Sequence, residues 1–156
     1  MPFNVITIGT RMPAWVNDGC LEYSKRMPAE FRIKTTEIPL ANRGKNQSAN
    51  RAMEDEGLAI LKAIGPRDFV IALDVIGTSM STLKLAAQMA SWQMQGDQIT
   101  FVIGGPDGLS KDCLDRANMR WSLSDLTLPH PLVRVLLMEQ LYRAWSINAN
   151  HPYHRN

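Results

Sequence analysis

One late stretch, Ile99 to Trp145, constrains the chain most. Its blocks ITFVIGG, PDGLS, KDCLDRA, WSLSDLTLPHP and LVRVLLMEQLYRAW read in turn as strand, glycine turn, short helix, polar loop and long helix. Ile99 to Ile103 is an apolar run rich in β-branched and aromatic residues, the composition of a strand buried on both faces. Gly104 and Gly105 end it, and without Cβ atoms they let the backbone take positive φ or lie close to a ligand. Pro106, Asp107 and Gly108 add turn chemistry. A second irregular segment, Leu123 to Pro131, delivers His130 to the start of the long helix, so two loops can form one pocket.

The rest of the chain supplies the sheet into which that stretch fits. Phe3 to Ile8 reads as a first strand, and Met12 to Met27 as a helix that places Trp15, Val16, Cys20 and Tyr23 near helical spacing before Pro28 stops it. Phe31 to Ile38 alternates apolar and charged residues, the pattern of a strand near a sheet edge. Asn50 to Ile64 reads as a helix ended by Gly65 and Pro66. Phe69 to Leu73 is a second fully apolar strand, ended by Asp74 with Gly77 in the turn after it. Ser81 or Thr82 caps the next helix, which runs to a stop near Gly96. Strands near positions 3, 31, 69, 98 and 119, separated mostly by helical patterns, predict an α/β sheet with several parallel strands. Ligands of such sheets bind outside the carboxyl ends of strands, here after Leu73, Ile103 and Ser122.

Composition narrows the class. With 156 residues and 45% hydrophobic content, the expectation is one domain over 1–156 that buries roughly 70% of the surface its unfolded chain exposes. A net charge of +2 is too small to argue nucleic-acid binding from the total, so any electrostatic footprint depends on where the charges sit. Cys20 and Cys113 suggest reduced thiols rather than a disulfide framework or a zinc site. MPFNVITIGTRMP lacks the features of a signal peptide, and no run approaches the roughly 20 apolar residues of a membrane span. The expectation is a soluble cytoplasmic protein, with no membrane contact and no metal.

The loops carry the candidate chemistry. Gly9 is not followed by G-x-G-x-x-G, and no G-x-x-x-x-G-K-[ST] phosphate loop is present. Leu123 to Leu128 offers backbone groups, apolar walls from Leu123, Leu126 and Leu128, and hydroxyls from Ser124 and Thr127. That mixture suits adenosine or another flat, partly apolar ligand; the alternative is a plain capping loop for the next helix. Pro39 to Arg51 carries Arg43, Lys45 and Arg51 without an acidic residue, so it either tracks a phosphate backbone or is simply solvated. The apolar stripe of Leu132 to Ile147 is wider than one side of a core requires. This helix is therefore either entirely buried or shared with a second subunit, and the reading favours an isologous dimer. The tail NANHPYHRN ends in His151, Tyr153, His154 and Arg155, aromatic and basic groups of the kind that stack on an unpaired base and hold its phosphate; a frayed terminus is the default reading.

GGPDGLS, the block WSLSDLTLPHPLVRVLLMEQLYRAWSI and the terminal NHPYHR, together with ITIGTRMPAWV and RGKN, closely resemble the RlmH family, ribosomal RNA large-subunit methyltransferase H of the SPOUT class, essentially end to end. The resemblance implies a SPOUT-type α/β knot, a mostly parallel sheet flanked by helices with a C-terminal trefoil knot, acting as a homodimer. It implies S-adenosyl-L-methionine as cofactor and, as substrate, a pseudouridine of 23S ribosomal RNA in the assembled ribosome, methylated at N3. By the same resemblance the cofactor pocket falls on Leu73, Gly104, Leu123, Ser124, Asp125, Leu126, Thr127 and Leu128, the three loops that the sheet argument selects. His130 at the mouth of the cofactor loop and Tyr153, His154 and Arg155 from the tail are expected to complete the acceptor site, in a dimer across to the partner's pocket. Asp125 departs from the apolar and hydroxyl character of its loop; it meets the cofactor's sulfonium or ribose, or faces water. The rivals are a SPOUT-type enzyme acting on another RNA such as a transfer RNA, and a non-catalytic ribosome-binding factor.

Overall fold

The computed structural model describes residues 2–44 and 48–155. Along the chain it forms β1 (Phe3–Ile8), α1 (Ala14–Ser24), β2 (Ile33–Ile38), α2 (Ala49–Ala63), β3 (Phe69–Ser79), α3 (Thr82–Gln95), β4 (Ile99–Ile103), α4 (Lys111–Arg116), β5 (Met119–Ser122) and α5 (His130–Asn148). Single 3-10 turns lie at Ala29–Phe31 and Pro152–His154. The strands make one sheet in the order β2-β1-β4-β3-β5, with every adjacent pair parallel. Parallel neighbours need crossover connections, and the intervening helices supply them.

Side-chain alternation divides the sheet's two faces between two cores. Phe3 and Val5 of β1, Ile71 of β3 and Ile99, Phe101 and Ile103 of β4 face Leu85, Met89 and Trp92 of α3 and Leu137 and Leu141 of α5. On the other face Ile6, Ile8, Val70 and Val102 meet Ile60 of α2 and Cys113 of α4. Each fully buried large apolar side chain contributes about 1.5–3 kcal/mol of transfer free energy, so the central strands β1, β4 and β3 anchor both layers. Rings of Phe3, Phe31, Trp92 and Phe101 lie 5.4–6.3 Å apart and fill the first core.

Several expectations shift in detail. The first helix stops at Ser24 and Trp15 turns outward, 58% exposed, while its neighbour Val16 is buried. β2 stands at the sheet edge with a half-wet face, as its alternation requires. β3 does not end at Asp74 but resumes and runs to Ser79. Ser81 caps α3 by accepting from Lys84 N at 3.1 Å, and Gly96 closes it with φ +71°. Part of the α5 stripe is covered inside one chain, because α1 and α3 pack along it and no residue from Pro131 to Ile147 is fully exposed. Leu137, Met138, Leu141, Tyr142 and Ala144 are buried, but Leu132, Val133, Val135, Leu136, Trp145 and Ile147 stay partly exposed, so the helix is not entirely buried within one chain.

Candidate functional site

Beyond the carboxyl ends of β3, β4 and β5 lies a cavity of about 700 Å³, within the range of small-molecule sites. Three loops enclose it. Leu73 brings in the end of β3, Gly104 the end of β4, and Leu123, Ser124, Leu126, Thr127 and Leu128 the segment after β5. Asp125 lies in the same segment but is exposed and is not part of the lining. Ser122 Oγ donates to Ser124 O at 2.8 Å and Ser124 Oγ accepts from Leu126 N at 3.0 Å, so the serines shape the loop themselves. Leu126 is 70% exposed at the rim.

The β3 wall has an unusual construction. Leu73 and Thr78 both pair with Trp121 of β5, so residues 74–77 are extruded from the ladder as a bulge. Gly77 permits it: a Cβ there would stand 2.7 Å from the Arg120 carbonyl carbon. Asp74 and Val75 of the bulge line the cavity.

Gly104 is required by backbone packing before any ligand is considered. A Cβ there would lie 2.6 Å from the Gly108 carbonyl carbon, because Gly105 and Gly108 bridge antiparallel and Gly108 takes φ +85°. Behind this turn sits an ion-pair cluster. Arg43 Nη1 and Nη2 donate to Oε2 and Oε1 of Glu56 at 2.7 and 3.1 Å, and Arg43 Nε donates to Asp107 Oδ2 at 2.8 Å. Glu56 is 3% exposed. Its carboxylate and that of Asp107 hold the Arg43 guanidinium firmly protonated. Arg43 therefore serves as a clamp between two loops rather than as a cation tracking a phosphate backbone. Arg51 gives its backbone N–H to the Ser48 cap at 3.1 Å, and Lys45 lies outside the described residues.

His130 is the first residue of α5 and lines the cavity. Burial, reinforced by the nearby Arg134 guanidinium, lowers its pKa below the ordinary imidazole value, so its neutral form prevails at neutral pH. Arg134, one turn on, is 3% exposed. It donates to the carbonyls of Ile8 and Gly9 at 3.2 and 2.7 Å and to Glu37 at 2.6 Å, which fastens the start of α5 to the ends of β1 and β2.

The tail sits elsewhere. Tyr153 Oη donates to Glu139 at 2.7 Å, its ring centroid lies 4.7 Å from that of Tyr142, and the Arg143 guanidinium stands 4.8 Å above it. Burial, and then the Glu139 carboxylate, push the phenol's pKa up, so Tyr153 stays protonated. Glu139 stands about 13 Å along the helix axis from His130 at 1.5 Å per residue. His154 follows in the same 3-10 turn, and Arg155 ends it in the left-handed region at φ +56°. Within one chain, then, the cavity gathers His130 and all but one of the cofactor-loop residues, and Tyr153, His154 and Arg155 are not in its lining.

Sequence reasoning missed Asp74, Asp107 and Trp121 as wall residues, and Glu56 and Arg134 as the anchors of Arg43 and of the start of α5. Asp74 had a usable signal, a carboxylate immediately past the carboxyl end of a buried strand. Among the described residues no three His, Cys, Asp or Glu side chains are grouped as metal ligands, and no helix is long and apolar enough to cross a membrane.

Comparison with known proteins agrees with this architecture. A family model described as "Predicted SPOUT methyltransferase" matches residues 1–154. The ribosomal RNA large subunit methyltransferase H of Saccharophagus degradans is 55% identical, over 99% of this chain and 100% of that protein. The like-named protein of Hahella chejuensis is 52% identical over 99% of each. Among solved structures, a probable methylase family protein from Haemophilus influenzae superposes with a TM-score of 0.59 at 15% identity, covering 99% of this chain and 70% of that one. A tRNA methyltransferase from Aquifex aeolicus gives 0.53 at 12%, covering 92% and 70%. The two structural matches establish a shared fold.

Proposed function

The chain belongs to the SPOUT methyltransferase family, and from that premise we propose that it methylates N3 of a pseudouridine in 23S ribosomal RNA, using S-adenosyl-L-methionine, as a homodimer on the assembled cytoplasmic ribosome. The observation that carries the reading is the end-to-end identity, at about half of all positions, with relatives named for ribosomal RNA large-subunit methylation. The knotted threading of the C-terminal part belongs to the same reading.

The cavity suits the donor. Its walls join aliphatic Leu123, Leu126 and Leu128 to the polar groups of Ser124 and Thr127, which matches a nucleoside with apolar faces and polar edges. Bound there, the donor supplies an electrophilic methyl group on a cationic sulfur. The chain's own task is to position the acceptor nitrogen and remove its proton, and such positioning is worth roughly 7–11 kcal/mol of barrier. His130, kept neutral by burial, is the group at the cavity able to accept that proton. Tyr153, kept protonated, offers its ring as a stacking face instead. Arg155 would stabilise the negative charge that develops on the ring as the proton leaves. Since the tail stands well down α5 from its own cavity, these side chains reach the acceptor in a partner's cavity, where Tyr153, His154 and Arg155 complete the site.

The test is incubation with labelled S-adenosylmethionine and ribosomes from cells lacking this protein, followed by mapping of the label. A single labelled pseudouridine of 23S RNA, modified at N3, is expected. Label found only on transfer RNA would replace this substrate with another, and donor uptake without any transfer would leave a binding factor.

A further inference from the structure

We propose that Asp74 is the residue that receives a positive centre of the bound methyl donor, an inference that rests on the donor reading above. The bulge makes this position possible. Leu73 and Thr78 share Trp121 as partner, so the chain between them leaves the sheet at the cavity and brings Asp74 into its wall. Gly77 fixes where the strand returns, since its backbone passes Arg120 too closely for any side chain.

The carboxylate's own bonding is incomplete. Its Oδ1 accepts one long bond from Ile76 N at 3.4 Å. Its Oδ2 is buried and has no hydrogen-bond partner among the described residues. A carboxylate oxygen withdrawn from water without a partner is costly, and a native chain keeps one where something else supplies the partner.

The cavity's charges define what that something is. Asp107, the other carboxylate of the lining, is already paired with Arg43 at 2.8 Å. His130 is held neutral, and among the described residues no lysine or arginine belongs to the lining. Among the described residues the Asp74 carboxylate thus has no counter-ion in the cavity, and a cationic ligand complements it. A methyl donor carries two candidate centres, the sulfonium and the amino-acid ammonium. Asp125, which the resemblance puts in the cofactor loop to meet the sulfonium or ribose or to face water, is exposed and outside the lining.

Calorimetric titration of the full chain, native and Asp74→Asn, with three nucleosides tests the assignment. S-adenosylmethionine carries both positive centres, S-adenosylhomocysteine only the ammonium, and methylthioadenosine neither. Loss of a charge-assisted bond predicts at least about tenfold weaker S-adenosylmethionine binding by the variant, with methylthioadenosine within about twofold of native. A matching loss for S-adenosylhomocysteine assigns the ammonium; no loss there assigns the sulfonium. Unchanged S-adenosylmethionine affinity, or an equal loss for all three ligands, overturns the proposal while leaving the donor reading intact. A native chain that takes up none of them removes the donor reading and this inference with it. Thermal unfolding without ligand checks that the bulge survives, and Asp74→Ser replaces the asparagine variant in the same titrations if that variant does not fold.

Discussion

On one side of the Gly104–Gly108 turn, Arg43 satisfies both oxygens of buried Glu56 and reaches Asp107; on the other, Asp74 Oδ2, Trp121 Nε1 and His130 Nδ1 are buried without partners among the described residues. The first cluster is complete in the protein alone, so its bonding holds the loop whether or not anything is bound. The second leaves donors and acceptors unmade, each costing about 1–3 kcal/mol, and they ring the cavity. Saturated polar groups hold the turn, and the unsaturated ones on this side belong to residues of the cavity wall.

The largest effect comes from breaking the saturated side. Arg43→Met leaves the nearly inaccessible Glu56 carboxylate without its counter-charge, and the expected loss of stability, read from urea unfolding, is about 3 kcal/mol. On the unsaturated side, His130→Gln removes the proposed proton acceptor while keeping a polar side chain of similar reach. Methyl transfer to ribosomes should fall about a hundredfold or more with donor affinity nearly unchanged; full activity would take the base role away from His130. The same variant has a signature in stability. The native imidazole titrates below its unfolded value of about 6.5, so the unfolded chain binds the proton first, and wild-type stability should fall as pH drops below that value. His130→Gln should flatten that part of the melting-temperature profile by a few degrees. A smaller effect is expected at the turn between the two clusters. Gly104→Ala drives a methyl group against the Gly108 backbone and should cost about 1–3 kcal/mol together with donor affinity. The comparison is sharpest where nothing should change: Asp125→Ala, at a position facing water, should bind donor as the native chain does in calorimetry.

What the sequence disclosed follows the range of the forces involved. The bounds of β1 and β4, the Ser81 cap and the Gly96 stop are written in local residue order, and they appear where that order puts them. The three strand ends that gather at the cavity follow from parallel topology alone. The bulge after Leu73 was hidden, because Asp74 and Gly77 resemble the end of a strand and only pairing with distant Trp121 carries β3 onward. Arg43 was hidden likewise: its neighbours in sequence include no carboxylate, and its partners are Glu56 on α2 and Asp107 in the turn. Arg134 is hidden in the same way, because only the fold brings its guanidinium to the carbonyls of Ile8 and Gly9 and to Glu37.

The length of α5 has a consequence for catalysis by small numbers of molecules. One end of this rod carries His130, and the tail folds back onto its middle at Glu139, so on the proposed reading an isolated protomer owns two separate half-sites. Extreme dilution would then silence turnover before it emptied the cavity of donor. Two differently damaged copies, one lacking His130 and one lacking Arg155, would rebuild a single working centre when mixed.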